Sequence, residues 1–193
     1  MNVALVILSA GSSNRMGTAK QLLPIGDTTL LGLVITNALK TNANKVICVL
    51  GANVELIKKS ISKFDIEIIT NKNHQEGLSS SIVEGINHIK DKNFDAALII
   101  LSDQPKVDSN YLNILMRSFE NNPTKITASE YSKHSGVPAV FPTSYFKQLQ
   151  LLKGDKGAKD VLNVHKANVI SIKSEKLMDI DTQEEYRNFL KSL

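Results

Sequence analysis

Short apolar runs rich in β-branched residues alternate with segments of helical period along this chain, and this alternation constrains the fold more than any other feature. The runs lie at residues 3–8, 45–50, 66–69 and 96–101. They are apolar along most of their length rather than at every second position, which is typical of strands that helices cover on both faces. Strands that alternate with helices in this way form mostly parallel sheets. We therefore expect an α/β fold with a mostly parallel central sheet flanked by helices on both faces.

The second half of the chain has a looser pattern, with strands expected at 125–129, 137–141 and 168–173, the first two partly antiparallel. Helices are expected over 29–40, 53–62, 78–89, 108–119, 143–152 and 158–165, and a last helix follows Thr182 as its N-cap. Asp27 or Thr28 is the expected N-cap of the first helix, and the serines at 79–81 are expected to cap the third. A chain of 193 residues is long enough for one well-packed domain and short for two, so we expect a single domain over 1–193.

Composition excludes several classes of protein. The chain is 42% hydrophobic and 22% charged, close to the globular average. Its formal charge is +4, but the lysines are spread along the chain, so we expect no nucleic-acid partner. No apolar stretch approaches the roughly 20 residues that cross a bilayer, and no signal segment opens the chain, so we expect a cytoplasmic protein without membrane contact. The single cysteine, Cys48, excludes an intramolecular disulfide.

The loop after the first strand indicates the chemistry. The chain breaks at Gly11 and regains an apolar pattern only at Leu22, and loops of this length tend to carry function. Glycines and small serines leave backbone N–H groups open to a ligand, and Arg15 and Lys20 add positive charge, so the loop is suited to a polyphosphate. Five residues separate Gly11 from Gly17, which excludes the P-loop spacing, and the dinucleotide fingerprint lacks its second and third glycines.

Two carboxylates are candidate metal ligands. Asp103 follows a buried strand, at the sheet edge where ligands of open α/β folds bind. Asp181 occupies a similar turn before the last helix, with Asp179 as the alternative. Carboxylate oxygens suit Mg²⁺, although both residues could instead be turn or capping residues. The four histidines have no second ligand at metal spacing, and we expect none of them to be catalytic.

Six segments occur in the order found in MocA-like proteins of the MobA-type NTP transferase family. They are the opening L-x-A-G-x-S-x-R-M-G-x-x-K-x-L-L, 77–81, 103–105, 136–138, 154–158 and 179–182. The chain resembles this family, which includes molybdenum cofactor cytidylyltransferase, over nearly its whole length. The resemblance implies a Rossmann-like nucleotidyltransferase fold. It also implies a Mg²⁺-dependent transfer of a nucleoside monophosphate from an NTP to an acceptor phosphate, with release of pyrophosphate.

The resemblance also implies roles for individual residues. Lys20, Arg15 and Asp103 would be catalytic, and Asp103 and Asp181 would bind the metal. The implied nucleotide-binding residues are Ser9, Ala10, Gly11, Ser12, Arg15, Gly17, Lys20, Gly77, Leu78, Ser79, Ser80 and Asp103. The implied acceptor-binding residues are Gln104, Gly136, Pro138, Gly154, Asp155, Gly157 and Lys159. Residues 1–105 would then form the NTP-binding half and residues 106–193 the acceptor-binding half.

Substrate identity is constrained less well. Ala10-Gly11 resembles cytidylyl-transferring members rather than guanylyl-transferring ones, which have Gly-Gly, so CTP is favoured. The resemblance implies a phosphorylated pterin acceptor, molybdopterin, and transient contact with a recipient molybdoenzyme. Lys159 stands where the family usually has arginine, which leaves the acceptor open because an ammonium cannot replace a guanidinium's bidentate contact. Guanylyl transfer, transfer to a sugar or polyol phosphate, and a non-catalytic cofactor-delivery protein remain alternatives.

Overall fold

The structure is a computed structural model that describes residues 1–12, 18–132 and 134–193. The strands in these residues are β1 (Val3–Ser9), β2 (Pro24–Ile25), β3 (Thr28–Thr29), β4 (Lys45–Leu50), β5 (Glu67–Thr70), β6 (Ala96–Leu101), β7 (Ile126–Tyr131), β8 (His134–Pro142) and β9 (Val169–Lys173). The α-helices are α1 (Leu30–Leu39), α2 (Val54–Ile61), α3 (Leu78–Ile89), α4 (Ser109–Asn121), α5 (Phe146–Gln150), α6 (Lys159–Val164) and α7 (Gln183–Leu190). No helix in this described part of the chain is both long and apolar enough to cross a membrane.

Seven strands form one sheet in the order β5-β4-β1-β6-β8-β7-β9, and β2 pairs with β3 separately. β1 is parallel to β4 and β6, β4 to β5, and β7 to β9. Within the described strands of this sheet, only β8 is antiparallel to its neighbours, β6 and β7. The expected mostly parallel sheet and its antiparallel pair are therefore confirmed.

Alternate residues of β1 enter two separate cores. Leu5 and Ile7 pack with residues of α1, α2 and α4, whereas Val6 and Leu8 pack with residues of α3, α5 and α6. All four are buried, and full burial of a side chain of this size contributes about 1.5–3 kcal/mol. Helices therefore cover both faces of the sheet, and the α/β fold class is confirmed.

A third, smaller core brings the end of the chain back to its beginning. It comprises Leu23, Ile25, Leu30, Ile180 and Phe189. α7 starts at a capping box in which Thr182 Oγ1 accepts from the Glu185 N–H at 3.2 Å and the Glu185 carboxylate accepts from the Thr182 N–H at 2.8 Å. Thr182 is thus confirmed as the N-cap, and the residues just before it are fixed beside the segment that follows β1.

Two N-caps differ from the expectation. Thr29, the second residue of β3, caps α1 by accepting from the Gly32 N–H, one position after the expected Thr28. At α3 the N-cap position is Gly77, and no side chain caps the helix. The serines lie inside the first turn, where Ser80 Oγ donates to the Gly77 carbonyl oxygen at 2.8 Å. Asp108 caps α4 by accepting from the Tyr111 N–H.

The helix expected over 143–152 is shorter in the structure. Residues Thr143–Tyr145 form a 3₁₀ turn, and only Phe146–Gln150 are α-helical. The Phe146 N–H donates to the Thr143 carbonyl oxygen and the Leu151 N–H to that of Gln148, so both ends of the segment close with i to i+3 bonds.

Candidate functional site

Two neighbouring cavities open at the carboxyl ends of β1 and β6, the sheet edge where open α/β folds bind ligands. The larger has a volume of about 660 Å³. It is lined by residues 8–12, 20–21, 74–75, 77–78, 81, 101–103 and 155. The smaller has a volume of about 190 Å³ and lies between the β7–β8 hairpin, the turn before α6 and Asp179. Leu78 and Leu101 line both cavities, which therefore share a wall.

Consecutive residues line different cavities at two places. After β6, Asp103 lines the larger cavity and Gln104 the smaller. In the turn before α6, Asp155 lines the larger cavity and Lys156 the smaller. A molecule bound in one cavity would therefore lie next to a molecule bound in the other.

The Lys20 ammonium lies between two carboxylates that are distant in sequence. Lys20 Nζ is 2.5 Å from Asp103 Oδ2 and 3.0 Å from Asp181 Oδ1. Asp181 reaches this position because the Ile180 N–H donates to the Asp103 carbonyl oxygen at 2.9 Å and Ile180 is fully buried in the third core. Burial lowers the pKa of Lys20, but the two carboxylates outweigh burial and raise that pKa above its usual value. Lys20 is therefore a cation at neutral pH.

The same carboxylates fit a divalent cation. Asp103 Oδ1 is buried and has no hydrogen-bond partner among the described residues, so it has lone pairs to offer. Mg²⁺ is typically bound by one or two carboxylates together with substrate phosphates and water. The described residues contain no group of three or more His, Cys, Asp or Glu side chains that could hold a metal by themselves. A cation bound by Asp103 and Asp181 would therefore take its remaining ligands from the substrate and water.

Asp179, the alternative to Asp181, has a different partner. Gln104 Nε2 donates to Asp179 Oδ1 and to the Tyr131 hydroxyl, both at 2.8 Å. The Tyr131 hydroxyl in turn donates to the Val137 carbonyl oxygen at 2.6 Å. Burial raises the pKa of Asp179, and burial also raises the pKa of Tyr131 to about 12. Asp181 is thus the carboxylate beside Lys20, whereas Asp179 belongs to a network along the smaller cavity.

Most of the expected nucleotide-binding residues line the larger cavity. They are Ser9, Ala10, Gly11, Ser12, Lys20, Gly77, Leu78 and Asp103. Arg15 and Gly17 lie outside the described residues. Ser79 and Ser80 are not among the lining residues, but Ser81 is. Leu78 and Ser81 share one face of α3 because they are three residues apart, whereas Ser79 is fully buried and the Ser80 hydroxyl donates to the Gly77 carbonyl oxygen.

The expected acceptor-binding residues divide between the cavities. Gln104, Gly136 and Lys159 line the smaller one. Asp155 lines the larger one instead. Pro138, Gly154 and Gly157 line neither and support the walls: the Pro138 carbonyl accepts from Ser129 Oγ at 2.7 Å, and the Gly154 carbonyl accepts from the Ser79 N–H at 3.0 Å. An added Cβ at Gly157 would lie 2.8 Å from Leu78 Cδ2.

The turn before α6 is seated directly against the start of α3, and Gly77 makes this approach possible. Gly77 has φ of +97°, and an added Cβ would lie 2.3 Å from Asp155 Oδ1 and 2.7 Å from the Gly154 carbonyl oxygen. A side chain at Gly77 would therefore push the turn away from the helix.

Gln21 and two aromatic residues of the smaller cavity were not predicted from the sequence. Gln21 is 1% exposed, and its Nε2 donates to the carbonyl oxygens of Gly11 at 2.9 Å and Ser9 at 3.3 Å, which fixes the backbone where β1 ends. Tyr131 and His134 line the smaller cavity. The only sequence signal for Gln21 was a polar residue beside Lys20, and Tyr131 and His134 flank a hairpin turn that no motif marks.

Comparison with known proteins identifies the family. Residues 5–169 match the MobA-like NTP transferase domain. The chain belongs to this family of nucleotidyltransferases. It is 27% identical to the purine catabolism protein PucB of Bacillus subtilis, over 94% of this chain and 92% of that protein. It is 28% identical to the nicotine blue oxidoreductase of Paenarthrobacter nicotinovorans, over 80% of this chain and 78% of that protein.

Solved structures of the same fold include two mycobacterial proteins. The homologue of Rv0371c from Mycobacterium sp. strain JC1 is 30% identical and superimposes with a TM-score of 0.86, covering 98% of this chain and 96% of that one. A manganese complex of Rv0371c from Mycobacterium tuberculosis is 24% identical, with a TM-score of 0.83 and complete coverage of both chains. The expected family and the Rossmann-like nucleotidyltransferase fold are therefore confirmed, while the narrower cytidylyltransferase assignment is a matter of proposal.

Proposed function

We propose that this chain is a Mg²⁺-dependent nucleotidyltransferase that moves CMP from CTP to the phosphate of molybdopterin or a related phosphorylated pterin. The observation that carries the proposal is the pairing of Lys20 with Asp103 and Asp181, with Lys20 and Asp103 lining a cavity that shares a wall with a second one. A transferase needs two substrates side by side with positive charge at the reacting phosphate. One cavity alone would not provide that arrangement.

The larger cavity takes the nucleotide in this proposal. Its volume of about 660 Å³ is within the roughly 300–1,000 Å³ typical of small-molecule sites. Lys20 and Arg15 stabilise the triphosphate, and the residues around Ala10 and Gly77 surround the base. Residues 1–105 supply most of this cavity, and residues 106–193 contribute Asp155.

The smaller cavity takes the acceptor, whose phosphate attacks the α-phosphate of the NTP as pyrophosphate leaves. An acceptor phosphate is already ionised at neutral pH, so the step needs no general base. Phosphoryl-type transfers depend mainly on positioning and on stabilisation of charge. Lys156 and Lys159 supply positive charge near the acceptor, and Lys20 supplies it near the leaving pyrophosphate.

Asp103 and Asp181 are the proposed ligands of Mg²⁺, which when bound would neutralise charge on the phosphate oxygens. The buried Asp103 Oδ1 without a hydrogen-bond partner among the described residues supports this assignment. The manganese complex of the structurally similar Rv0371c supports a divalent cation in this fold. Mg²⁺ rather than Mn²⁺ is the proposed physiological ion.

CTP is the proposed donor because Ala10 lines the larger cavity where guanylyl-transferring relatives have glycine. One methyl group distinguishes competing bases by only about 1–3 kcal/mol, so the preference is expected to be partial. We also propose that the protein delivers its product to a recipient molybdoenzyme through a transient contact.

The test is pyrophosphate release by the purified protein with Mg²⁺. CTP, GTP, ATP and UTP are each combined with molybdopterin and with a panel of sugar and polyol phosphates. We expect the fastest release with CTP and molybdopterin. If release is fastest with GTP or with a sugar phosphate, the proposed donor or acceptor would be wrong, but the protein would still be a nucleotidyltransferase.

Two variants distinguish catalysis from binding. Lys20→Ala should abolish release, whereas Lys176→Ala should not, because Lys176 pairs with Asp108 outside both cavities. A protein that is stabilised by NTP and yet releases no pyrophosphate with any acceptor would be a binding or delivery protein, and the transferase proposal would fail.

A further inference from the structure

The smaller cavity contains a feature that the transfer chemistry does not require, a pair of stacked aromatic rings. The rings of Tyr131 and His134 have centroids 5.2 Å apart and planes within 3° of parallel. Both residues line the cavity, and His134 is exposed. Nucleotidyl transfer to a phosphate needs charge and position but no aromatic group, so the pair points to recognition of the acceptor.

The Tyr131 ring is held in place by the surrounding structure. Its hydroxyl accepts from Gln104 Nε2 at 2.8 Å and donates to the Val137 carbonyl oxygen at 2.6 Å. An added Cβ at Gly136 would lie 2.8 Å from Tyr131 Cε2, so only glycine at this position leaves room for the ring. A ring that is already fixed loses little conformational entropy when a ligand stacks beside it.

The charges around the rings indicate what else the ligand carries. Lys156 and Lys159 line the same cavity, which favours an anionic group such as a phosphate. The cavity volume of about 190 Å³ is below the roughly 300–1,000 Å³ of sites that enclose a whole ligand. It therefore suits one end of an acceptor, with the remainder reaching the wall shared with the larger cavity.

We propose that Tyr131 and His134 are specificity-determining residues that select acceptors with a planar heteroaromatic ring over sugar and polyol phosphates. The proposal rests on the proposed function, since it names the class of acceptor that the smaller cavity takes. A sugar phosphate can use the two lysines, but it has no flat surface to stack on the aromatic pair. The discrimination comes from stacking, which tolerates differences among planar rings.

The test compares two probes that share a phosphate and differ in the ring, the phosphate ester of 6-hydroxymethylpterin and ribose 5-phosphate. Binding of each is measured by calorimetry with Mg²⁺ and a non-hydrolysable CTP analogue. The wild-type protein should bind the pterin phosphate more tightly. His134→Ala should weaken its binding by about 5- to 150-fold, the usual effect of losing a stacking partner, and leave ribose 5-phosphate within about 2-fold.

Two further variants serve as rescue and control. His134→Phe keeps a ring without the imidazole and should restore binding of the pterin phosphate. His165→Ala also removes a histidine beside a tyrosine, since its ring lies 5.0 Å from that of Tyr145, but it lines neither cavity and should bind both probes as the wild type does.

Three results would overturn the proposal: no preference of the wild type for the pterin phosphate, no effect of His134→Ala, or equal weakening of both probes by that variant. The last would show that His134 contacts the phosphate. Pyrophosphate release from CTP with the pterin phosphate tests the transfer separately. If pyrophosphate is released and the KM for the pterin phosphate is unchanged in His134→Ala, the transfer proposal stands and the aromatic selection is rejected. If the pterin phosphate binds selectively but no pyrophosphate is released, the aromatic selection stands and the transfer proposal is rejected.

Discussion

Lys20→Met removes the ammonium between Asp103 and Asp181 and keeps an unbranched side chain. Lys20 Nζ lies 2.5 and 3.0 Å from the two carboxylate oxygens, and the side chain is 15% exposed. Breaking a fully buried ion pair costs about 3–5 kcal/mol, whereas an exposed pair contributes about 1 kcal/mol at most. Lys20 lies between these limits, so we expect a loss of about 1–3 kcal/mol, which in a protein of this size lowers Tm by roughly 2–12 °C.

The same substitution should strengthen binding of a divalent cation in the absence of nucleotide. In the wild-type protein a cation bound by Asp103 and Asp181 must displace the Lys20 ammonium or share the carboxylates with it. If displacement costs about 1–3 kcal/mol, Mn²⁺ binds the methionine variant about 5- to 150-fold more tightly than the wild type. A cation at about 100 times its Kd adds roughly 2.7 kcal/mol, enough to offset most of the stability lost.

The assay is thermal unfolding over a series of Mn²⁺ concentrations, with Mn²⁺ binding measured by electron paramagnetic resonance. Lys176→Met is the matched control, because Lys176 is also paired with a carboxylate, Asp108, and lines neither cavity. It should lose stability without any gain in Mn²⁺ affinity. If Lys20→Met binds Mn²⁺ no better than the wild type, the ammonium and the cation do not compete for Asp103 and Asp181, and the metal assignment is wrong.

Three further perturbations test other parts of the site. Asp179→Asn should raise Tm at neutral pH, because burial raises the pKa of Asp179 and the amide keeps an oxygen that accepts from Gln104. The gain in Tm should shrink as pH falls through that raised pKa and vanish below the ordinary value of about 3.9. The measurement is a series of thermal unfolding curves at different pH, and an equal gain at low and neutral pH would contradict the prediction. Gly77→Ala should lower the free energy of unfolding in urea more than Gly26→Ala does. Both glycines have positive φ, but of the two only Gly77 would place the new Cβ against other atoms. Equal losses would refute the close contact between Gly77 and the turn before α6. Ala10→Gly should reduce the ratio of kcat/KM for CTP over GTP by at most about 150-fold, and an unchanged ratio would exclude the methyl group as a determinant of the base.

The sheet was predictable because its strands carry their own signal. β1, β4 and β6 are apolar along most of their length, since both faces of each strand are buried, and their bounds agree with expectation to within a residue. Helix starts were less predictable, because a residue caps a helix only if it occupies the N-cap position. α1 begins one residue later than expected, with Thr29 as its N-cap, and at α3 the contact with the turn before α6 requires glycine.

The candidate site was predictable where its residues follow strands and unpredictable where tertiary contacts decide. Lys20 and Asp103 were associated through the family resemblance, and in the structure they meet because β1 and β6 are neighbours whose carboxyl ends share an edge. The choice between Asp181 and Asp179 could not be made from sequence, because both lie in one short turn. It depends on the bond from the Ile180 N–H to the Asp103 carbonyl oxygen and on the Gln104 amide, whose two donors are taken by Asp179 and Tyr131.

Neighbouring residues line different cavities at two places, so under the proposed function one motif in the sequence would contact two substrates. The chain turns after β6, and there Asp103 lines the larger cavity while Gln104 lines the smaller one. Asp155 and Lys156 do the same in a turn that Gly77 allows to rest on α3. A change that shifts either segment must therefore move a residue in each cavity at once. For the same reason, a substitution in one of these four residues is expected to alter the binding of both proposed substrates, even though its side chain lines only one cavity.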